Sequence, residues 1–368
     1  MTITVSGTNG ITLDGQFNSA SSMGFKNRLI NSAMVIDQRN AGASVSASGQ
    51  YTLDRWVTAT TIASKFTVQQ NAGSVTPPVG FASYLGVTSS SAYSIVTGDI
   101  FAFAQYVEAF NTSDLAWGTE NAQAVTLSFW IRSSLTGTFG GALQNSAQNR
   151  SYPFSYTISS ANTWEQKTIT IAGDTSGTWI SGTNGVGVRI FFSVGTGATY
   201  SGTSGAWVGT QYYSATGATS VVGTNGATFY ITGVQLEKGS TATSFDYRPY
   251  GTELALCQRY YYRQTALGNN SPFFVGQTYA SGQQNYLTQF PVQMRAAPSI
   301  NTSAAANFNV LTYAAGGTVT NLTAGITLAS ATIYGAFVYT TQSLAAAGGA
   351  LLVAANSSAY IEWTGAEL

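Results

Sequence analysis

The 368-residue chain contains no histidine and one cysteine. Without histidine there is no Ser-His-Asp triad, no Cys-His dyad, no ordinary zinc site and no usual general base near neutral pH. Cys257 has no partner for an internal disulfide and reads as a small buried apolar residue. Charge is also scarce: 8% of residues are charged, against about 25% in an ordinary soluble domain, and the 14 basic and 14 acidic groups cancel. That excludes the basic field that collects phosphates in nucleic-acid binding, and the polybasic segment that docks on a membrane surface. The longest apolar run, AAAGGALLVAA at 345–355, is too short to span a bilayer. The opening MTITVSGTNG lacks a positive n-region and an apolar h-region, so the sequence predicts a protein made in the cytoplasm without a secretion signal. A carboxylate-pair mechanism needs two acids held together. Glu108, Asp114 and Glu120 are the densest acidic group, and they read as solvation of a loop. Asp99 and Asp174 occupy turn positions. The expectation is therefore no catalytic residue, no metal, no cofactor and no enzyme activity.

What fills the chain instead is Gly, Ser, Thr, Ala, Asn and Gln with 21 Tyr and 19 Phe, the composition of extended structure with many turns rather than of disorder. At this length two or three domains are expected. KFTVQQ (65–70), IFAFAQYVEAF (100–110), AVTLSFWIRSS (124–134), YPFSYTIS (152–159), WEQKTITIAG (164–173), GVGVRIFFSV (185–194) and ATFYITGVQLE (227–237) place β-branched or aromatic residues at alternate positions between turn clusters. So many short strands predict a two-sheet β-sandwich. GTNG recurs at 7–10, 182–185 and 223–226 as tight-turn chemistry. It is not a phosphate loop, because the strand VGVRIFFSV rather than a helix follows the second copy. Residues 1–26 read as an arm that cannot build a core. Tyr250, Leu254, Cys257 and Tyr261 share one helical face and Thr252 can cap the start, which predicts the one clear helix over 251–263. Residues 264–368 carry only Arg295, Glu362 and Glu367 as charges, with FFVGQTY, NYLTQFPVQM, ATIYGAFVYTT and AYIEWTG as strands. Trp164, Trp179 and Trp207, with Tyr212 and Tyr213, lie near Gly/Thr-rich loops. There they would either stack on sugar rings or pack in a core.

NRLINSAMVIDQRNAG (27–42), YTLDRW (51–56), TWEQKTITI (163–171) and YITGVQLEKGSTATSFDYRPYGTELALCQRYYYR (230–263) together resemble a phage and prophage tail-fibre or virion structural family. QFPVQMRAAPSI (289–300) resembles a segment of its C-terminal domains. The resemblance implies a jelly-roll like a carbohydrate-binding module, opened by the first two stretches. It is closed by Gln235, Leu236, Glu237, Gly239, Ala242, Thr243 and Phe245, followed by Arg248, Pro249, Tyr250, Glu253, Leu254, Cys257, Arg259 and Tyr260.

The expected architecture is all-β: an attachment arm (1–26), a jelly-roll β-sandwich body (27–250), a linking helix (251–263) and a smaller C-terminal β-sandwich tip (264–368), assembled as a homotrimer. Arg248, Glu253, Cys257, Arg259 and Tyr260 are expected at a structural junction. The expected role is a non-enzymatic tail fibre on the virion surface. It would bind other virion proteins through residues 1–26 and a host-surface polysaccharide through Tyr313, Tyr334, Tyr339, Tyr360 and Trp363. No nucleic acid and no membrane insertion are expected. A head fibre or capsid decoration, or the carbohydrate-binding module of a soluble hydrolase, are the alternatives.

Overall fold

The structure is a computed structural model that describes residues 3–6, 10–13, 25–280, 282–312, 318–343 and 348–368. Of the predicted arm, residues 1–2, 7–9 and 14–24 lie outside the described residues. Its remainder includes an antiparallel hairpin of β1 (Ile3–Ser6) and β2 (Gly10–Leu13). The described chain forms two compact units. One comprises Met1–Val35, Gly42–Thr52 and Trp56–Pro249, and the other Ile36–Ala41, Leu53–Arg55 and Tyr250–Leu368.

The first unit is a jelly-roll β-sandwich. Its strands are β3 (Tyr51–Leu53), β4 (Trp56–Thr60), β5 (Phe66–Gln70), β6 (Leu85–Ser89), β7 (Ile100–Glu108), β8 (Val125–Ser133), β9 (Gly137–Gln144), β10 (Ser151–Ile158), β11 (Glu165–Ile171), β12 (Val186–Thr196), the short β13 (Ser201–Gly202) and β14 (Ser214–Ala215), and β15 (Thr228–Lys238). A six-stranded sheet runs β10-β9-β12-β7-β4-β3 and a five-stranded sheet runs β11-β8-β15-β6-β5. All seven strands predicted in this region are present. β9 was not predicted: its GTFGGALQ pairs small residues with few β-formers, and it is stabilised from both sides by β10 and β12.

Alternation decides what each sheet buries. Phe101 and Phe103 of β7 and Phe192 of β12 turn inward, where Phe103 meets Phe229 of the opposite sheet at 5.8 Å and Trp56 lies 6.1 Å from Phe103. A bulge between Thr232 and Gln235 lets β15 change register, and Gly233 occupies it at φ +60 with the Phe81 ring against its Cα.

The residues that carry the family resemblance act as a hydrogen-bonded clasp between the two ends of this unit. Asn27 Nδ2 donates to the Ser32 hydroxyl (2.8 Å) and to the Val234 carbonyl (2.9 Å), while its Oδ1 accepts from Leu29 N and Leu236 N. Gln235 accepts from Asp246 N at 2.8 Å, and Glu237 accepts from Thr243 N (2.9 Å) and from the Thr243 hydroxyl (2.6 Å). Arg248 donates to the carbonyls of Leu29 and Asn27. Arg248 thus closes the sandwich from within the first unit.

In the second unit, helix α1 covers Tyr250–Gln258. The predicted span was 251–263. The difference arises because Tyr262–Thr265 form β16, whose pairing with β25 (Tyr360–Thr364) claims those residues for a sheet. Thr252 lies inside the first turn rather than capping it. Of the predicted helical face, Cys257 and Tyr261 are buried while Tyr250 is 64% exposed, and Glu253, one turn before Cys257, is buried as well. The other strands are β17 (Pro272–Ala280), β18 (Gln283–Gln289), β19 (Ser299–Thr302), β20 (Phe308–Thr312), β21 (Thr318–Asn321), β22 (Ile326–Ala331), β23 (Gly335–Thr341) and β24 (Gly349–Ala354). A seven-stranded sheet, β21-β20-β24-β17-β18-β23-β22, packs against a three-stranded sheet, β16-β25-β19, around Phe274, Phe290, Leu352, Ile361 and Trp363.

All ten charged residues of this unit are acids and arginines in equal number: Asp37, Asp54, Glu253, Glu362 and Glu367 with Arg39, Arg55, Arg259, Arg263 and Arg295. Ion pairs, hydrogen bonds and ring contacts tie most of them together. Glu367 pairs with Arg39 (2.8 Å) and with Arg55, while Arg295 donates to the carbonyls of Ala366 and Glu367 at 2.6 Å each. Arg39 lies 3.7 Å from the Tyr261 ring centre and Arg55 3.6 Å from that of Tyr260. Arg259 donates to the Gln293 carbonyl at 3.2 Å. Cys257 is fully buried, and burial pushes its thiol well above the usual range, so it behaves as an inert apolar group.

Asp54 is buried beside Gln38 and Arg39. Burial pushes its carboxyl from 3.8 up to about 6, against the opposing pull of Arg39. The folded state therefore holds the proton that the unfolded state has released. This contribution to stability is complete below the unfolded pKa and is lost as pH rises through about 6. Asp54→Asn should flatten the fall in melting temperature between the two values, a difference on the order of 2–3 kcal/mol; equal pH profiles for both proteins would contradict the assignment. Arg55→Ala leaves Glu367 short of a partner in a shielded site and should destabilise the unit by about 3–5 kcal/mol, measured by denaturant unfolding.

Candidate functional site

The aromatic residues near Gly/Thr-rich loops separate into three places. Trp164 packs edge-on against Tyr84 (5.7 Å) and donates its indole N–H to the Thr76 carbonyl (2.9 Å). Trp179 and Trp207 meet Trp117 at one corner of the sandwich, with centroids 4.7 and 5.2 Å from Trp117 and 5.3 Å from each other, all edge-to-face. Each indole N–H is satisfied inside the protein: Trp117 on the Gln123 carbonyl (2.7 Å), Trp207 on that of Ala172 (2.7 Å), and Trp179 on Asp174 (3.2 Å). Asp174 also takes a two-pronged bond from Arg150, at 2.8 and 2.5 Å. The adjoining cavity, lined by Thr112, Ser113, Trp117, Thr119, Trp179 and Ser181, has a volume of about 90 Å³. A cavity of about 150 Å³ is what benzene needs, so this one is too small for a sugar ring. The corner is a packed joint.

The third place is the outward face of the six-stranded sheet. Alternation puts Ala102, Ala104 and Tyr106 of β7 on this side, opposite Ser193, Phe191 and Arg189 of β12, with Val57 and Ala59 of β4 beyond. The small side chains form a thin floor. Against it pack the half-buried Tyr51, Tyr106 and Tyr200, with Tyr213 standing edge-on to Phe191 at 4.7 Å and Tyr200 at 5.6 Å from Tyr213. β14 comes close over β9 because Gly140 has no side chain: a Cβ there would lie 2.6 Å from the Ser214 hydroxyl.

Polar groups surround these rings. The Arg189 guanidinium sits 4.8 Å from the Tyr106 ring centre and donates to the Ser146 carbonyl at 3.2 Å. Gln211 donates to Gln148 (2.6 Å) and to the Tyr213 hydroxyl (2.7 Å). Gln144, fully buried, donates to the Tyr212 carbonyl at 2.6 Å, while its Oε1 and the Nε of Arg189 have no partner among the described residues. Burial raises the phenols of Tyr106 and Tyr213, so both are neutral donors at physiological pH. The result is a surface of neutral rings, amides and one guanidinium.

The five residues expected to bind a ligand in residues 264–368 do not converge. Tyr313 lies outside the described residues. Trp363 is 0% exposed and packs 5.0 Å from Phe290, so its face is core rather than platform, a correction to the expectation. Tyr360 lies on β25 beneath Arg263, 3.9 Å away. Tyr339 projects outward on β23 between Asn285 and Thr327. Tyr334 is 66% exposed and borders an open groove of about 610 Å³ with Leu287, Phe290 and Phe337. Of the tyrosine face of the first unit only Tyr213 was anticipated, although the signal for the rest is legible in IFAFAQYVEAF: alternate positions read Phe-Phe-Gln on one side and Ala-Ala-Tyr on the other.

Among the carboxylates, Asp114 pairs with Arg28 at 2.7 Å and Glu165 with Lys167 at 2.5 Å. Among the described residues no three acidic or cysteine side chains cluster as metal ligands.

No family model matches the chain, and no curated protein matches it. Solved structures that resemble it include the enzymatically active domain of bacteriophage CBA120 tailspike protein 4, at 14% identity and a TM-score of 0.33 over 58% of this chain and 21% of that one. Another is the family 11 carbohydrate-binding module of Clostridium thermocellum, in complex with a β-1,3-1,4-mixed-linked tetrasaccharide (11% identity, TM-score 0.27, 55% of this chain and 100% of that one). A third is TmCBM61 in complex with β-1,4-galactotriose (12%, 0.28, 58% and 100%). The chain thus spans about a fifth of the tailspike domain and the whole of each of the two modules. At these scores the likenesses carry no weight for the ligand, which is sought in the chain's own geometry.

The tryptophan corner generates a direct check. Trp117 is 7% exposed and touches both other indoles, so Trp117→Ala should cost about 3–5 kcal/mol in denaturant unfolding, the range for removing a buried large aromatic. A loss under about 1 kcal/mol would mean that the corner is loosely packed.

Proposed function

We propose that this chain is a non-enzymatic virion fibre protein that holds a host-surface glycan on the tyrosine face of its six-stranded sheet. The observation that carries the reading is the combination on that face of half-buried tyrosines over an alanine floor with Gln211, Gln148 and Arg189 as hydrogen-bonding groups. A pyranose ring presents an apolar C–H face and a rim of hydroxyls. The tyrosine rings suit the first, and amides and phenols suit the second.

The virion assignment is supported by the resemblance of residues 27–300. In this reading residues 1–26 attach the protein to the particle, the chain acts as a homotrimer, and its place is the phage surface. Non-catalytic action is supported by the engagement of Asp174, Asp114 and Glu165 in ion pairs. Single-site affinity is expected in the weak range, with avidity from the trimer raising it.

The test is adsorption of the purified protein to host cells and to immobilised host polysaccharide. Tyr106→Ala and Arg189→Ala should each weaken binding about tenfold, equivalent to about 1.4 kcal/mol, with the wild-type melting temperature kept within a few degrees. Binding should persist in high salt, because rings and neutral donors are not screened. Unchanged adsorption by both variants, or loss of wild-type binding in high salt, would defeat the reading.

A further inference from the structure

The seven strands of the large sheet in the second unit contain no Asp, Glu, Lys or Arg at all. Its inner face is accounted for by the core. Its outer face carries an unbroken apolar row that crosses six strands. Val319 pairs with Leu311, Leu311 with Leu351, and Leu351 with Val275. One step beyond the Gly276–Tyr286 pair, Val275 faces Leu287, which pairs with Phe337. The row is open to solvent: Val319 is 59% exposed, Val275 70% and Leu287 76%. At the β22–β23 end it runs into the groove bordered by Tyr334.

Single exposed leucines are ordinary, but a contiguous stripe across a whole sheet marks a contact surface. We propose that this outer face is where copies of the chain associate with one another. A partner of ordinary composition would bring charged side chains onto the face, which offers none to pair with them, and leaving them buried is costly. The partner surface must therefore also be free of charge, and the chain itself supplies one. The unit keeps all ten of its charges off this sheet. Seven strands about 4.8 Å apart and about six residues tall give a flat footprint of roughly 600 Å². Side-chain relief brings this near the roughly 800 Å² per partner of a standard interface. The two ends of the row differ, with Val319 at one and the groove at the other. Ends that differ allow a head-to-tail contact, which closes into a ring such as a trimer where the rotation between copies permits. The inference deepens the trimer part of the function proposed above and is independent of its glycan part.

The experiment is light scattering on the full chain at micromolar concentration, with circular dichroism as the check on folding. The wild type should run as a trimer, and Val275→Lys combined with Leu287→Lys should drop its mass threefold with an unchanged spectrum. Leu267→Lys, at a 98% exposed site off the sheet, should leave the trimer intact. If the lysine pair unfolds the unit, Val275→Ser with Leu287→Ser supplies the same comparison. A trimer that survives the substitutions overturns the face and leaves the trimer reading standing. A monomeric wild type overturns both, whatever the glycan assay reports.

Discussion

Glu367 is the anion on which the second unit turns. It accepts from Arg39 and from Arg55, while Arg295 grips the backbone on either side of its own peptide. These arginines come from three distant stretches of sequence. One short carboxylate thereby ties Ile36–Ala41 and Leu53–Arg55 to the C-terminal sheet system. The stacking of Arg39 and Arg55 on Tyr261 and Tyr260 gives each guanidinium an apolar ceiling as well as an ionic partner. Together they explain why a chain so poor in charge concentrates arginines, acids and consecutive tyrosines in short motifs. Buried charge is tolerated only where it is matched, and here the match is five acids to five arginines.

The first unit rests on the opposite principle. Its ends are held by side-chain amides and backbone, with Asn27 spanning the two segments and Gln235, Glu237 and Arg248 folding the closing loop back on the last strand. In this clasp the amides bond to backbone and hydroxyl groups, Glu237 is held by Thr243 and Arg248 by backbone carbonyls and Asp246, and the sheet faces are left free to differ. One face is packed with phenylalanine, and the other is floored with alanine and edged with tyrosine.

Much of this was legible in the sequence. Period-two alternation located the long strands of the sandwich because each has one face committed to core. The strands it missed, such as Gly137–Gln144, are those whose partners rather than residues make them strands. The helix was visible, but its end was not, because Tyr262 and Arg263 are claimed by long-range pairing with Trp363 and Glu362. Trp363 looked like a candidate for stacking on sugar only because burial is a tertiary property. The tyrosine face escaped notice for the same reason: Tyr51, Tyr106, Arg189 and Tyr200 are far apart in sequence and become neighbours only through the strand order of one sheet.

The chain passes from one unit to the other five times, after Val35, Ala41, Thr52, Arg55 and Pro249. A protein built as beads on a string can trade its last bead by a single genetic crossover. This one cannot. A foreign C-terminal half would arrive without the Arg39 and Arg55 that fit its own Glu367, so recombinants joined near Pro249 would inherit mismatched arginines and acids. Viable exchanges have to carry the short DQR and DR stretches along with the distant half, or else evolve by point substitution on the surfaces that the network leaves alone.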